Sequence, residues 1–391
     1  MKQLKIIAIV LSCLLLSGCW DKIEIDRRAF ISVIGVDVGK DIVKEKELAD
    51  ISPSEPFQEK EIKKLSVTLG FPDISELGPG KGGSAKDKYI KTDAYSIQDS
   101  ISQSTTLSSR VVHLGHSRLL ILSSEVLKYK DSVKEIIDFF RREPRLNRMM
   151  YVVVSEGKAE DFVKYKPNME SNLESYLTGV MENASTNSTI LPVKLNEFLT
   201  LLSINGNAIA PRITIDREKD ELKLDGLAVI KDYTLKGYVT TLETSNLEML
   251  RGKLRGGKKV IFYKGHPIDY VIEGVDRKIK VSQKDNKLLF NVNIKLEGNI
   301  KEYVVGQQLF DINKLSDIQN NFNKSLSAEC EKVVRYTQKE LNVDPIGFRE
   351  YVEKYDPKLW KQIKDKWETY YENAEVSVGV QTKIRRIGVS K

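Results

Sequence analysis

At 391 residues with 41% apolar side chains, the chain can build two or three domains of ordinary size, each with a buried core, which excludes wholesale disorder. Its net charge of +7 is spread along the chain apart from modest clusters at 251–259 and 383–386, a mildly basic surface that suits an anionic membrane face and not a nucleic-acid groove with stacked aromatics. Only three cysteines occur, at positions 13, 19 and 330, too few for a framework of several disulfides, so stability must come from packing.

The chain opens with Lys2 and Lys5, an apolar run over residues 6–16, and the small residues Ser17 and Gly18. A basic start, a short greasy stretch and a small-residue exit form a secretory signal peptide, assigned to residues 1–18. The run falls short of the about 20 apolar residues that a spanning helix needs. Leu16-Ser17-Gly18-Cys19 resembles a bacterial lipobox, which implies that Cys19 carries a diacylglycerol and becomes the mature N-terminus. Two acyl chains, at about 0.8 kcal/mol per buried methylene, hold a protein on a bilayer where one chain is marginal. Loss of the signal removes two lysines and leaves a net charge of +5. Trp20, beside the anchor, is expected at the headgroups, where aromatic side chains concentrate.

Residues 31–38 and 65–69 read as strands, rich in branched side chains. Between and after them lies polar sequence, with 78–84 a glycine-rich loop. Residues 96–109 form a helix, 111–122 a strand region, and 124–142 a helix capped by Ser124 with Val126, Val133, Ile136, Ile137 and Phe140 on one side. Residues 149–154 are a buried strand and 159–165 a short helix; 168–181 and 192–203 are two further helices. Strand and helix alternate here, as in mixed α/β layers.

After the break at Asn205-Gly206-Asn207, residues 209–215 form a strand, and 226–230 and 235–239 flank a hairpin turn at Lys231-Asp232-Tyr233-Thr234. A short helix at 244–250 precedes strands at 259–263, 278–281 and 288–296, the last placing Leu288, Phe290, Val292, Ile294 and Leu296 on one face. A long helix covers 311–341, with Cys330 on its apolar side as a small buried hydrophobe. A second, 357–371, carries the stripe Trp360, Ile363, Trp367, assigned to packing under the closing strand at 376–384. The expected fold class is mixed α/β, a multi-domain ectodomain of sheets flanked by helices, divided into 19–205 and 206–391 with three structural domains in all.

Several separated motifs then coincide with one family. Gly18-Cys19-Trp20-Asp21 with Glu24 and residues 31–37, Ile137-Asp-Phe-Phe-Arg-Arg-Glu-Pro144, Leu224-Asp-Gly-Leu-Ala-Val229, Gly252-Lys-Leu-Arg-Gly-Gly257, Asp344-Pro-Ile-Gly-Phe348 and Trp360 with Trp367 together resemble the Ger(x)C family, the C-subunit lipoproteins of bacterial spore germinant receptors. The resemblance implies a non-catalytic subunit of a nutrient sensor, anchored on the inner membrane of the spore beside the membrane subunits of the same receptor. It also implies an ectodomain of three α/β domains and no cofactor. Residues 54–86 match no motif of the family.

Sharper readings are weaker. Residues 252–259 approach a phosphate loop, but position 259 is lysine where a hydroxyl must hold magnesium, and a helix precedes where a strand is needed. His113, His116 and His266 suggest a metal, yet on a strand the odd spacing puts the first two on opposite faces. The carboxylates at 135–138 and 156–161 lie among lysines on helix surfaces as solvated pairs. No catalytic constellation appears, and the chain reads as no enzyme. The alternative function is a solute-binding lipoprotein of a transporter, with two lobes about a hinge and a polar cleft.

Overall fold

The computed structural model describes residues 27–49, 63–73, 86–186, 188–263, 265–303 and 312–387. Cys19, Trp20 and the whole signal lie outside the described residues, as does the glycine-rich stretch 78–84. Among the described residues no helix is long and apolar enough to cross a membrane.

The first half builds an eight-stranded mixed sheet. Its strands are β2 (Val33–Val38), β3 (Leu65–Pro72), β4 (Asp87–Ala94), β6 (Leu119–Ser123), β7 (Tyr151–Ser155), β8 (Ala208–Asp216), β9 (Glu221–Lys231) and β10 (Thr234–Val239), in the order β10-β9-β8-β7-β6-β2-β3-β4. The four central strands β8, β7, β6 and β2 run parallel. A separate parallel pair joins β1 (Arg28–Phe30) to β5 (Val111–His113). Sequence follows position: β6 is Leu-Leu-Ile-Leu-Ser with every residue buried, whereas β4 at the sheet edge alternates buried and exposed. Strand alternation divides the core. Ile34, Leu120 and Val152 pack against α2 (Lys130–Arg142) and α5 (Leu195–Asn205), reached after α1 (Ile97–Leu107), α3 (Ala159–Val163) and α4 (Leu173–Glu182). Val33, Leu119, Ile121 and Val153 face α3 and α4 on the other side.

The division after residue 205 runs through this sheet, because β8 pairs with β7 through Val154↔Arg212 and Ser155↔Ile213. The expected hairpin forms at Asp232 and Tyr233, both with positive φ, between β9 and β10. Ser124 does not cap α2. A 3-10 turn at Val126–Lys128 and an extended Tyr129 come first, and the α-helix starts at Lys130.

Helix α6 (Thr241–Arg251) leads into the second sheet, β11 (Lys258–Tyr263), β12 (His266–Lys284), β13 (Lys287–Tyr303) and β14 (Glu375–Ile387), in that order. The alternating apolar residues of β13 are all buried, as expected. Strand β14 pairs parallel with β13 after a crossover of α7 (Ile312–Tyr336), α8 (Phe348–Tyr355), α9 (Pro357–Ile363) and α10 (Trp367–Asn373). The expected single helix over 357–371 is two short helices joined by a 3-10 turn at Lys364–Lys366.

Helix α7 covers the outer edge of β14. Gln319, Asn323, Ser327 and Glu331, spaced by four, accept the backbone N–H groups of Ile384, Thr382, Val380 and Val378, spaced by two. Four helical residues rise about 6 Å and two strand residues about 6.7 Å, so the two periods stay in step. The last strand's open edge is thereby closed to other chains.

Candidate functional site

Two motifs far apart in the chain meet at one cleft of about 250 Å³. One wall comes from α5 and the start of β8, with Leu201, Ile204 and Ile209. The opposite wall comes from the end of α6, from Arg277 on β12, and from residues 343–350.

The 343–350 wall is shaped by Asp344. Its Oδ1 accepts the N–H groups of Ile346 at 3.1 Å and Gly347 at 3.0 Å, and its Oδ2 that of Arg349 at 2.8 Å. This local bonding turns the chain into α8 and sends Phe348 into the core, stacked on Phe290 at 4.5 Å. Burial, reinforced by Glu350, pushes the Asp344 carboxyl up to about 6 against those N–H bonds.

The α6 wall begins with a capping box, Thr240 with Glu243, and ends at Arg251 and Gly252. The Arg251 side chain is only 8% exposed, with Glu248 at 3.5 Å and Glu197 at 3.8 Å. Its Nη1 is buried without a hydrogen-bond partner among the described residues. Arg277 lies across Gly252 and donates from Nη1 to the Leu250 carbonyl at 2.7 Å. Burial first, then the charge of Arg251, presses the Arg277 guanidinium below its ordinary value. Arg349 stacks over the Trp360 ring at 5.2 Å, and its Nη1 is also buried without a hydrogen-bond partner among the described residues. Sequence reasoning missed all three arginines: Arg251 and Arg349 adjoin the 252–257 and 344–348 motifs, and Arg277 carried no signal.

Lys259, the last position of the phosphate-loop look-alike, is buried and donates to Asn246 Oδ1 at 2.5 Å. It packs the turn between helix and strand. The expectation that His113 and His116 lie on opposite faces fails. The chain leaves the strand at His113 for a 3-10 turn, Leu114–His116, which brings the two rings within 5.4 Å of each other and both against Phe30. His266 starts β12, in the other sheet. Among the described residues no three His, Cys, Asp or Glu side chains converge as a metal site. Trp367 packs into the core, stacked on Tyr371, while Trp360 is half-buried beside it. Cys330 is fully buried, its thiol pushed up to about 12 by burial. Glu135 pairs with Lys64 at 2.5 Å and Asp138 with Arg142 at 2.8 Å. Asp37, in the first strand motif, accepts the N–H groups of Ala159 and Glu160 at the start of α3.

One buried cluster runs from Ile209, Leu227 and Val229 of the larger sheet into Ile268, Phe290 and Phe322 around the smaller. The two sheets share a core, where a hinged solute-binding protein needs lobes that part.

Two family models match the chain in succession, meeting between β8 and β9 of the larger sheet. The model described as spore germination protein N-terminal domain matches residues 21–215, and the one described as spore germination B3/GerAC-like, C-terminal, matches residues 225–388. The chain belongs to the Ger(x)C family. This Ger(x)C chain is 23% identical to spore germination protein B3 of Bacillus subtilis strain 168, over 96% of its own length and 95% of that protein's. It is 26% identical to spore germination protein A3 of the same organism, over 99% and 98% of the two lengths. The crystal structure of the GerBC protein superposes with a TM-score of 0.59 at 20% identity, covering 82% of this chain and 94% of that one, a likeness of fold.

Proposed function

We propose that this Ger(x)C protein is a lipid-anchored, non-catalytic subunit of a spore germinant receptor, needed for nutrient-triggered germination. A diacylglycerol on Cys19 holds it on the outer face of the inner membrane of the spore, with Trp20 at the headgroups, and it works through contacts with the membrane subunits of the same receptor. The observation that carries this reading is the near full-length likeness to several spore germination proteins, at 95% or more of each chain for B3 and A3. The lipobox Leu16-Ser17-Gly18-Cys19 supports the anchor.

The test is germination of spores that lack this chain, scored with nutrients and with a trigger that bypasses receptors. The expected outcome is normal sporulation, a lost response to one nutrient and an intact response to the bypass. Cys19→Ala is expected to reproduce that loss and to release the protein from spore membranes. A nutrient response left intact when every other such receptor has also been removed refutes the reading.

A further inference from the structure

We propose that the cleft between the two sheets binds a small organic monocarboxylate, its carboxylate received by Arg251 and Arg277 and its apolar body by Leu201, Ile204 and Ile346. This goes beyond the receptor reading and does not rest on it.

The first ground is a cation with an unused donor. The Arg251 side chain is 8% exposed and its Nη1 has no hydrogen-bond partner among the described residues. The nearest carboxylates, Glu248 at 3.5 Å and Glu197 at 3.8 Å, stand at the limit of hydrogen-bond reach or beyond it. Glu248 Oε1, itself without a hydrogen-bond partner among the described residues, faces Nη1 across that gap, so the pair neutralises charge without closing a hydrogen bond. A buried donor in that state is costly, and a ligand oxygen removes the cost.

The second ground is like charges brought together. Arg277 and Arg251 both line the cleft, and the Arg251 charge adds to burial in disfavouring that of Arg277, which a bound anion would relieve. Planar guanidinium groups match the two oxygens of a carboxylate.

The third ground fixes the class of anion. Arg251, Lys253, Arg277 and Arg349 line the cleft against the carboxylates Asp344 and Glu350, so charge admits an anion, and what favours an organic acid over phosphate is the apolar wall opposite. Both Asp344 oxygens are already taken by backbone N–H groups, so this residue shapes the wall and does not fill it. The facing wall is aliphatic, and about 250 Å³ admits a compact acid of modest size.

The experiment uses the full chain in lipid nanodiscs, with empty nanodiscs as baseline, and reads binding by saturation-transfer NMR. The probes are 3-methylbutanoate, its neutral amide and inorganic phosphate. The acid is expected to bind about tenfold or more tightly than the amide, and Arg277→Gln to weaken the acid by about tenfold with little effect on the amide. Equal binding of acid and amide, preference for phosphate, or no binding of the acid at about 10 mM overturns the proposal. Should Arg277→Gln unfold, Ile204→Glu replaces it at a wall position that is 38% exposed. Its new charge is expected to abolish binding of the acid, and unchanged binding again overturns the proposal.

Discussion

Asn323→Ala tests the polar ladder that closes the edge of β14. In the native protein one oxygen, Asn323 Oδ1, accepts the Thr382 N–H at 2.7 Å and the Thr382 hydroxyl at 2.8 Å. Thr382 is 6% exposed, so water replaces the lost acceptor poorly. The hydroxyl keeps a contact to the Gln319 carbonyl at 3.3 Å, but the buried Thr382 N–H is left without an acceptor, at a cost of about 1–3 kcal/mol. The expected loss is therefore about 2 kcal/mol. That corresponds to about 30-fold faster amide exchange at Thr382, where exchange proceeds by opening of this edge. Exchange at Val380 and Ile384, held by Ser327 and Gln319, rises less, because their own partners remain. The assay is hydrogen exchange of the full chain with a parallel urea titration. Exchange at Thr382 within about twofold of the native rate, with an unchanged urea midpoint, would show that α7 merely lies beside the strand.

Gly226, in the Leu224–Val229 motif, has φ +78°, and a Cβ there would sit 1.9 Å from the Val239 carbonyl oxygen. Because the obstacle is backbone of the neighbouring strand, Gly226→Ala is expected to cost about 3 kcal/mol or more by chemical denaturation; a loss below about 1 kcal/mol contradicts that geometry. His113 supplies the pH dependence. Burial first, then His116, Arg28 and Arg145, lower its folded-state pKa, so the unfolded chain takes up a proton that the folded chain refuses. Stability from this residue falls as pH drops from about 7 towards 5, and His113→Gln is expected to flatten that limb of the urea-midpoint profile. An identical slope in the variant removes His113 from the account.

The elements that were legible in the sequence are those set by neighbours along the chain. The β13 alternation of Leu288, Phe290, Val292, Ile294 and Leu296 has period two whatever the strand pairs with, and all five are buried. The turn at Asp232-Tyr233 and the apolar stripe of α2 carry their own local chemistry. Where a local signal competed with geometry, the sequence misled. The three-residue step between His113 and His116 reads as opposite faces on a strand, but a single 3-10 turn folds the rings together.

The sequence by itself determined the mixed α/β class, the family and the burial of most apolar positions, because periodicity and separated motifs survive without knowledge of partners. Only the tertiary structure decided strand order, which carries β8–β10 across the 205 division into the larger sheet, since which strands pair depends on partners far away along the chain and not on local pattern. It also decided the meaning of Gln319, Asn323, Ser327 and Glu331. Along the chain they are one polar face of a helix, the ordinary mark of solvent, and in space they pair with a strand edge. The cleft arginines are the extreme case. Arg251, Arg277 and Arg349 come from a helix end, a strand and a helix start, and no spacing relates them until the two sheets share a core.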